Sequence, residues 1–262
     1  MVYFYSLKGN ANDLSYKLLL RRKAFRKMLE EILSNGFNEL GLNCDELMLS
    51  RFRQYYESLE QTNKVMNLTS ISGEKNVAQL HFLDCAALLR YAQFERKKLI
   101  DVGTGAGFPG LALKIACPNA DVTLLDSLDK RLGFLRSTCE EIGFGDVQFF
   151  HSRAEEIPKG LREHFDIATA RAVASLNVLS EMCLPYVAEG GLFIAMKGPD
   201  FDEELESAKP AIKALGGKTE KCLTYTIPGT DIVHSAIMIR KVSSTPPLYP
   251  RSWAKIKKSP LK

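Results

Sequence analysis

Apolar positions in the first third of the chain recur every three or four residues. Between Lys23 and Leu33 they are Ala24, Met28, Leu29, Ile32 and Leu33. Between Asp45 and Met66 they are Leu47, Phe52, Tyr55, Tyr56 and Leu59, and over residues 76–93 they are Val77, Leu80, Leu83, Ala87, Leu88 and Tyr91. This spacing predicts three amphipathic helices, with Gly36 and Gly41 separating the first two. From Lys98 onward the pattern changes to short apolar runs bounded by glycine or acidic residues. Strands are predicted at Lys98–Val102, Asp121–Asp126, Val147–His151, Phe165–Thr169 and Gly190–Met196. Helical stretches alternate with them at Leu111–Ala116, Asp129–Ile142, Leu176–Val187 and Glu203–Leu215. Two further extended segments, Cys222–Ile227 and His234–Lys241, flank Pro228-Gly229 as in a hairpin.

Strands alternating with helices imply an α/β fold with a mostly parallel sheet and right-handed crossovers. The pattern gives seven strands, the last pair forming a C-terminal antiparallel hairpin, behind an N-terminal helical extension. The expected division is a basic extension at 1–26, a helical region at 27–94, a ligand-binding domain at 95–242 and a basic tail at 243–262. Ligands of such sheets sit beyond the carboxyl ends of the strands.

One loop at such an end carries chemistry. Asp101-Val-Gly103-Thr-Gly105-Ala-Gly107-Phe108-Pro109-Gly110 joins the first strand to a helix. Glycines there let the backbone turn and approach a ligand without a Cβ in the way. Gly105 to Gly110 also satisfies GxGxxG, in which amides hold a dinucleotide pyrophosphate. Two residues argue against that use. Asp101 puts a carboxylate at the strand end, which suits a cationic ligand, and Pro109 removes an amide from the turn. S-adenosylmethionine, with its sulfonium and ammonium groups, fits better. Asp126 ends the second strand, where a carboxylate can accept from both ribose hydroxyls.

Composition narrows the class. Cys44, Cys85, Cys117, Cys139, Cys183 and Cys222 form no CxxC pair, and the four histidines form no HxxxH. Neither a metal site nor a disulfide framework is expected, and reduced thiols in the cytoplasm are. No run of 18 apolar residues is present, so no membrane span is expected. The net charge of +4 is unevenly distributed. Residues 1–27 hold seven basic groups and one acid, residues 240–262 hold seven and none, and the middle carries about −9. Basic ends on an acidic body suggest contact with a polyanion.

From about residue 47 to 240 the sequence resembles the RsmG (GidB) family of class I, Rossmann-like methyltransferases. The resemblance is carried by Asn67-Leu-Thr-Ser-Ile71, His81-Phe-Leu-Asp84, the glycine loop, Leu124-Leu-Asp-Ser-Leu128 with Lys130-Arg131, Ser152-Arg-Ala-Glu-Glu156, Arg171-Ala-Val-Ala-Ser-Leu176 and Lys197-Gly198. The Tyr249-Pro-Arg251 to Pro260-Leu261 end is also similar. Two departures stand out. Thr62 precedes Asn63 where the family commonly has tryptophan, and Ala170 precedes Arg171 where it commonly has serine.

The resemblance implies methylation of guanine N7 in the 530 loop of 16S ribosomal RNA, on free RNA or on the small ribosomal subunit, by a monomer using S-adenosylmethionine. It implies cofactor contacts at Gly103, Phe108, Asp126, Ser127, Ala154, Glu155 and Arg171, beside the loop residues Asp101, Gly105 and Gly107. Arg171, Asn67 and His81 are expected to position the substrate, with Asp84 nearby. Lys130, Arg131, Lys197, Arg251, Lys255, Lys257 and Lys258 are expected to meet RNA phosphates. Guanine N7 already has an in-plane lone pair, so alignment can supply the catalysis without a base. Other targets fit less well. Exocyclic-amine methylation usually uses an Asn/Asp-Pro-Pro-aromatic loop, where this chain has Ala170-Arg171-Ala172-Val173. Pyrimidine C5 methylation needs a cysteine nucleophile, and Cys183 lies inside a predicted helix. A nicotinamide-dependent oxidoreductase and a non-catalytic RNA-binding module are the alternatives.

Overall fold

The computed structural model describes residues 28–171 and 174–262. The basic segment 1–26, the start of the helix expected from Lys23, and Ala172-Val173 of the arginine motif lie outside the described residues. Helix α1 covers residues 28–39 and α2 covers Glu46–Met66. The Asp45 side chain caps α2 by accepting from the Met48 amide at 2.7 Å, and Asn67 ends it in a left-handed conformation (φ 48°). Arg53 on α2 ties the helices together by pairing with Glu30 and Glu74 at 2.8 and 2.6 Å.

The helix expected over 76–93 is not uniform. It runs as α3 (Glu74–Val77), a π-helical segment (Ala78–Leu83), α4 (Asp84–Ala86) and a 3-10 turn (Ala87–Arg90). The wide π turn holds His81 and is followed at once by Asp84. Such bulges occur often at functional sites.

Strands β1 (Lys98–Val102), β2 (Asp121–Asp126), β3 (Gln148–His151), β4 (Phe165–Arg171), β5 (Val187–Lys197), β6 (Gly217–Thr226) and β7 (Val233–Lys241) form one sheet in the order β3-β2-β1-β4-β5-β7-β6. The first five are parallel, and β7 pairs antiparallel with both β5 and β6. The intervening helices are α5 (Gly110–Ala116), α6 (Asp129–Glu141), α7 (Leu176–Cys183) and α8 (Asp202–Ala214).

Period-two alternation assigns the strand residues to two cores. Leu99, Val122, Leu124, Ile167, Ile194 and Met238 pack on one face with α1, α2, α5 and α6. Ile100, Leu125, Ala168, Phe193, Ala195 and Ile239 pack on the other with α7, α8 and the C-terminal α9 (Trp253–Lys258). Ala170 belongs to this second core and is fully buried.

Several boundaries differ from the sequence expectation, β5 among them, which starts at Val187 rather than Gly190. Helix α7 stops at Cys183 rather than Val187, because Pro185 has no amide to continue it and β5 starts at Val187. Strand β6 begins at Gly217, not Cys222: Lys218, Glu220 and Lys221 hide it, as charges do on an edge strand. Strand β4 continues past Thr169 to Arg171, which pairs with Met196 of β5. The tail at 243–262 is docked rather than loose. Arg162 donates to the carbonyls of Thr245, Pro246 and Tyr249, and α9 buries Ile256 completely.

Candidate functional site

The chain order reverses between β1 and β4, and a cleft of about 1010 Å³ opens at their carboxyl ends. Such a switch point is where open α/β sheets bind ligands. The glycine turn that follows β1 forms its floor. Gly103, Gly105 and Gly107 have φ of 73°, 59° and 101°, values that favour glycine. Their surroundings differ. A Cβ on Gly105 would meet nothing closer than 4.0 Å, and the residue lines the cleft. A Cβ on Gly107 would lie 2.5 Å from the Tyr55 hydroxyl, so this glycine lets the loop pack on α2. A Cβ on Gly110 would strike the Asp101 side chain at 2.7 Å.

Asp101 does not line the cleft, contrary to its expected role beside a cationic ligand. It is buried beneath the loop and accepts from the Thr104 hydroxyl at 2.6 Å and the Gly110 amide at 2.9 Å, with the Thr169 hydroxyl at 3.3 Å. Burial pushes its carboxyl up to about 6, against those three hydrogen bonds. It fastens the turn.

The loop amides are largely consumed inside the protein. Gly103 and Thr104 donate to the Leu125 carbonyl, Gly105 to Asp126, Gly107 and Phe108 to the Thr104 carbonyl, Gly110 to Asp101 and Leu111 to the Gly107 carbonyl. Pro109 has no amide. A pyrophosphate would need several of these donors, so the turn is not an anion cradle.

Carboxylates occupy one side of the cleft. Asp126 accepts from the Gly105 and Leu128 amides at 2.9 Å each, and Arg131 reaches it at 3.4 Å. A carboxylate has about four acceptor sites, so capacity remains for a ligand hydroxyl. Ser127, Ala154 and Glu155 line the cleft beside it.

Arg171, at the end of β4, faces the opposite side. Its Nη1 donates to Asp84 at 3.1 Å and to the Leu80 carbonyl at 3.2 Å, and its Nη2 to His81 Nδ1 at 2.7 Å. Three of five N–H groups are thus used. Phe108 lies beneath, with the guanidinium carbon 5.0 Å above its ring and the His81 ring stacked on it at 4.1 Å. Burial, and next the Arg171 charge, lower His81 to about 3, so its ring is neutral. Since Nδ1 accepts from Arg171, Nε2 carries the proton and donates to Thr69 Oγ1 at 2.9 Å. That oxygen also accepts from the Ile71 amide at 3.1 Å, which leaves the Thr69 proton for an acceptor in the cleft.

Fully buried Asp84 joins this cluster to β6 and β7. Its second oxygen accepts from the Tyr225 hydroxyl and from His234 Nδ1, both at 2.9 Å. The hydrogen bond to Asp84 raises the His234 pKa above its ordinary value, and His234 lines the cleft. Neither Tyr225 nor His234 was singled out from the sequence, and no local pattern marks them.

The remaining expected residues divide. Asn67 does not line the cleft: it caps α2, and Thr69 and Ser70 after it do the lining, while Asn63 bonds Thr69 at both backbone groups. Arg131 and Lys197 line the cleft, but Lys197 pairs with Glu204 at 2.8 Å. Lys130, Lys255, Lys257 and Lys258 are exposed. Arg251 is turned inward to the fully buried Glu181 at 2.7 Å. Cys183 lies in the second core, where burial pushes its thiol far up. Among the described residues no three histidine, cysteine or acidic side chains gather as a metal set.

A sheet in this order, with a fastened glycine turn after β1 and a carboxylate closing β2, defines a class I methyltransferase. The family described as rRNA small subunit methyltransferase G (GidB) matches residues 48–231, and the chain belongs to it. It is 46% identical over 237 residues to ribosomal RNA small subunit methyltransferase G of Alkaliphilus oremlandii, covering 89% of this chain and 99% of that protein. The protein of the same name from Clostridium perfringens (strain 13 / Type A) is 43% identical over 235 residues, 88% of this chain and 98% of that protein. Among solved structures, M. jannaschii TYW2 in complex with AdoMet aligns with a TM-score of 0.50 at 12% identity, covering 62% of this chain and 74% of that one, a likeness of fold.

Proposed function

We propose that this chain methylates N7 of a guanine in the 530 loop of 16S ribosomal RNA, with S-adenosylmethionine as donor. The observation that supports this most is the state of the glycine turn. Its amides are spent internally while two carboxylates, Asp126 and Glu155, line the same cleft. That acceptor-rich, donor-poor lining suits a phosphate-free, cationic nucleoside rather than a dinucleotide.

In this reading the bare backbone at Gly103 and Gly105 and the Phe108 ring seat the cofactor. Asp126 and Ser127 hold its ribose, and Ala154 and Glu155 its adenine. Bound there, it supplies an electrophilic methyl group on a sulfonium. Asp101 and Gly107 act through the loop they shape. Arg171, His81 and Thr69 hold the guanine. N7 lies on an edge that is deep and narrow in A-form RNA, so the base enters from a loop or splayed out. Its lone pair needs no general base, and positioning lowers the barrier. Arg131 and Lys130 meet RNA phosphates together with Lys255, Lys257 and Lys258. Lys197 and Arg251 serve as framework for Glu204 and Glu181. Action as a monomer in the cytoplasm completes the reading.

Calorimetry tests the cofactor half: S-adenosylhomocysteine binds and NAD does not. Arg171→Ala tests the other half. It should lower kcat for RNA by at least about tenfold, while Cys183→Ser leaves it within about twofold. Tight NAD binding without a response to S-adenosylhomocysteine would contradict the proposal.

A further inference from the structure

The cleft carries one large aromatic side chain that the methyl-transfer reading leaves unused. Trp253 opens α9, is 37% exposed, and lines the same cleft as Gly103, Arg171 and Lys197. It is the single tryptophan of the chain. Its position is fixed by neighbours on both sides. Two residues earlier, Arg251 bonds Glu181 through its amide, Nε and Nη2 at 2.7–2.9 Å. Three residues later Ile256 is fully buried, and beyond α9 the Leu261 carbonyl accepts from Asn177 at 2.8 Å. Lys255, Lys257 and Lys258 stand exposed on the same helix, and residues 240–262 contain no acid. The result is an exposed indole on an anchored cationic helix at the rim of the cleft.

We propose that Trp253 is a stacking platform for an RNA base next to the nucleotide that enters the cleft. This inference rests on the methyl-transfer reading above. Drawing one nucleotide out of its stack strips its neighbours of a stacking face. An aromatic ring at the point of entry replaces that face, and it does so whatever the base, because every base has a π surface. The phosphates on either side then fall to the three lysines. Three exposed lysines on the helix that carries the ring, in a segment without an acid, favour a nucleic acid over a protein surface as the occupant.

Because Trp253 is the only indole, its emission reports directly on the proposed contact. A single-stranded RNA carrying the target loop, titrated into the full chain with S-adenosylhomocysteine present, should quench that emission. Trp253→Ala should raise the RNA Kd and KM roughly 5- to 150-fold, the range measured per stacked base. Its kcat should stay within about twofold and Trp253→Phe should recover most of the loss. S-adenosylhomocysteine affinity and Tm should be unchanged in both variants, which separates lost stacking from lost folding. An RNA-insensitive emission, or wild-type KM in Trp253→Ala, overturns the proposal while leaving methyl transfer intact. Emission that follows protein concentration instead of RNA would assign the ring to a second copy of the chain and also overturn it. Absence of methyl transfer by the wild type would overturn the underlying reading itself.

Discussion

A carboxylate without solvent needs partners for both oxygens, and Asp84 finds them in Arg171, Tyr225 and His234. The two cleft histidines shift in opposite directions, His81 lowered by burial and the Arg171 charge, His234 raised by its hydrogen bond to Asp84. His81, held near 3, stays neutral, whereas His234 keeps its proton above the ordinary value of about 6.5. In an NMR titration from about pH 5 to 8, the His81 ring should not shift and the His234 midpoint should lie above about 6.5. The linkage signs follow. Between about 3 and 6.5 the unfolded chain binds a proton at His81 that the folded one refuses, so this contribution to stability is lost as pH falls through that window. The His234 contribution is present below about 6.5 and is lost as pH rises through its raised folded value. A His81 midpoint near 6.5 would contradict the assigned tautomer. The sequence exposed half of this cluster. His81 and Asp84 sit three positions apart in one motif, and Arg171 follows closely on a recognisable strand. Tyr225 and His234 lie 141 and 150 residues from Asp84, and only the antiparallel return of β7 brings them in.

At the scale of elements, the glycine turn and α9 separate what chemistry marks from what packing hides. The spacing of Gly103, Gly105 and Gly107 marked the loop, but not that only some of it faces the cleft. Gly107→Ala would drive a methyl group against Tyr55 and Leu135 at 2.5 and 2.8 Å and should lower stability by about 2 kcal/mol. Gly105→Ala meets open space, so it should cost less stability yet weaken S-adenosylhomocysteine binding at least about tenfold. Scanning calorimetry and isothermal titration distinguish the two, and the reverse pattern would refute the assignment. Basic residues advertised the C-terminal tail as a polyanion contact. Its docking was invisible, because Glu181 sits in α7 among apolar neighbours and its partner is 70 residues away. Arg251→Ala strands that fully buried carboxylate and should cost about 3 kcal/mol, seen as a lower denaturation midpoint.

For the whole molecule, alternation of strands and helices was sufficient to read the parallel sheet, because each strand needs one apolar residue set for each face. The edge strand β6 escaped in part, since its outer half is charged. The switch between β1 and β4 then places the carboxylate-lined and arginine-lined sides of one cleft on either side of the central strand. The exposed lysines of α9 are the proposed RNA surface. Replacing Lys255, Lys257 and Lys258 with alanine should flatten the log–log salt dependence of RNA binding by about 2, from roughly 0.7 per phosphate contact on single strands. An unchanged slope would remove α9 from that surface. The central claim, transfer to guanine N7, is tested most directly on the RNA product. Methylation at N7 gives the base a positive charge and makes its glycosidic bond labile. Small-subunit RNA treated with the protein and S-adenosylmethionine, then with borohydride and aniline, should break at one guanine of the 530 loop. RNA that has taken up a methyl group but resists this cleavage would contradict the account.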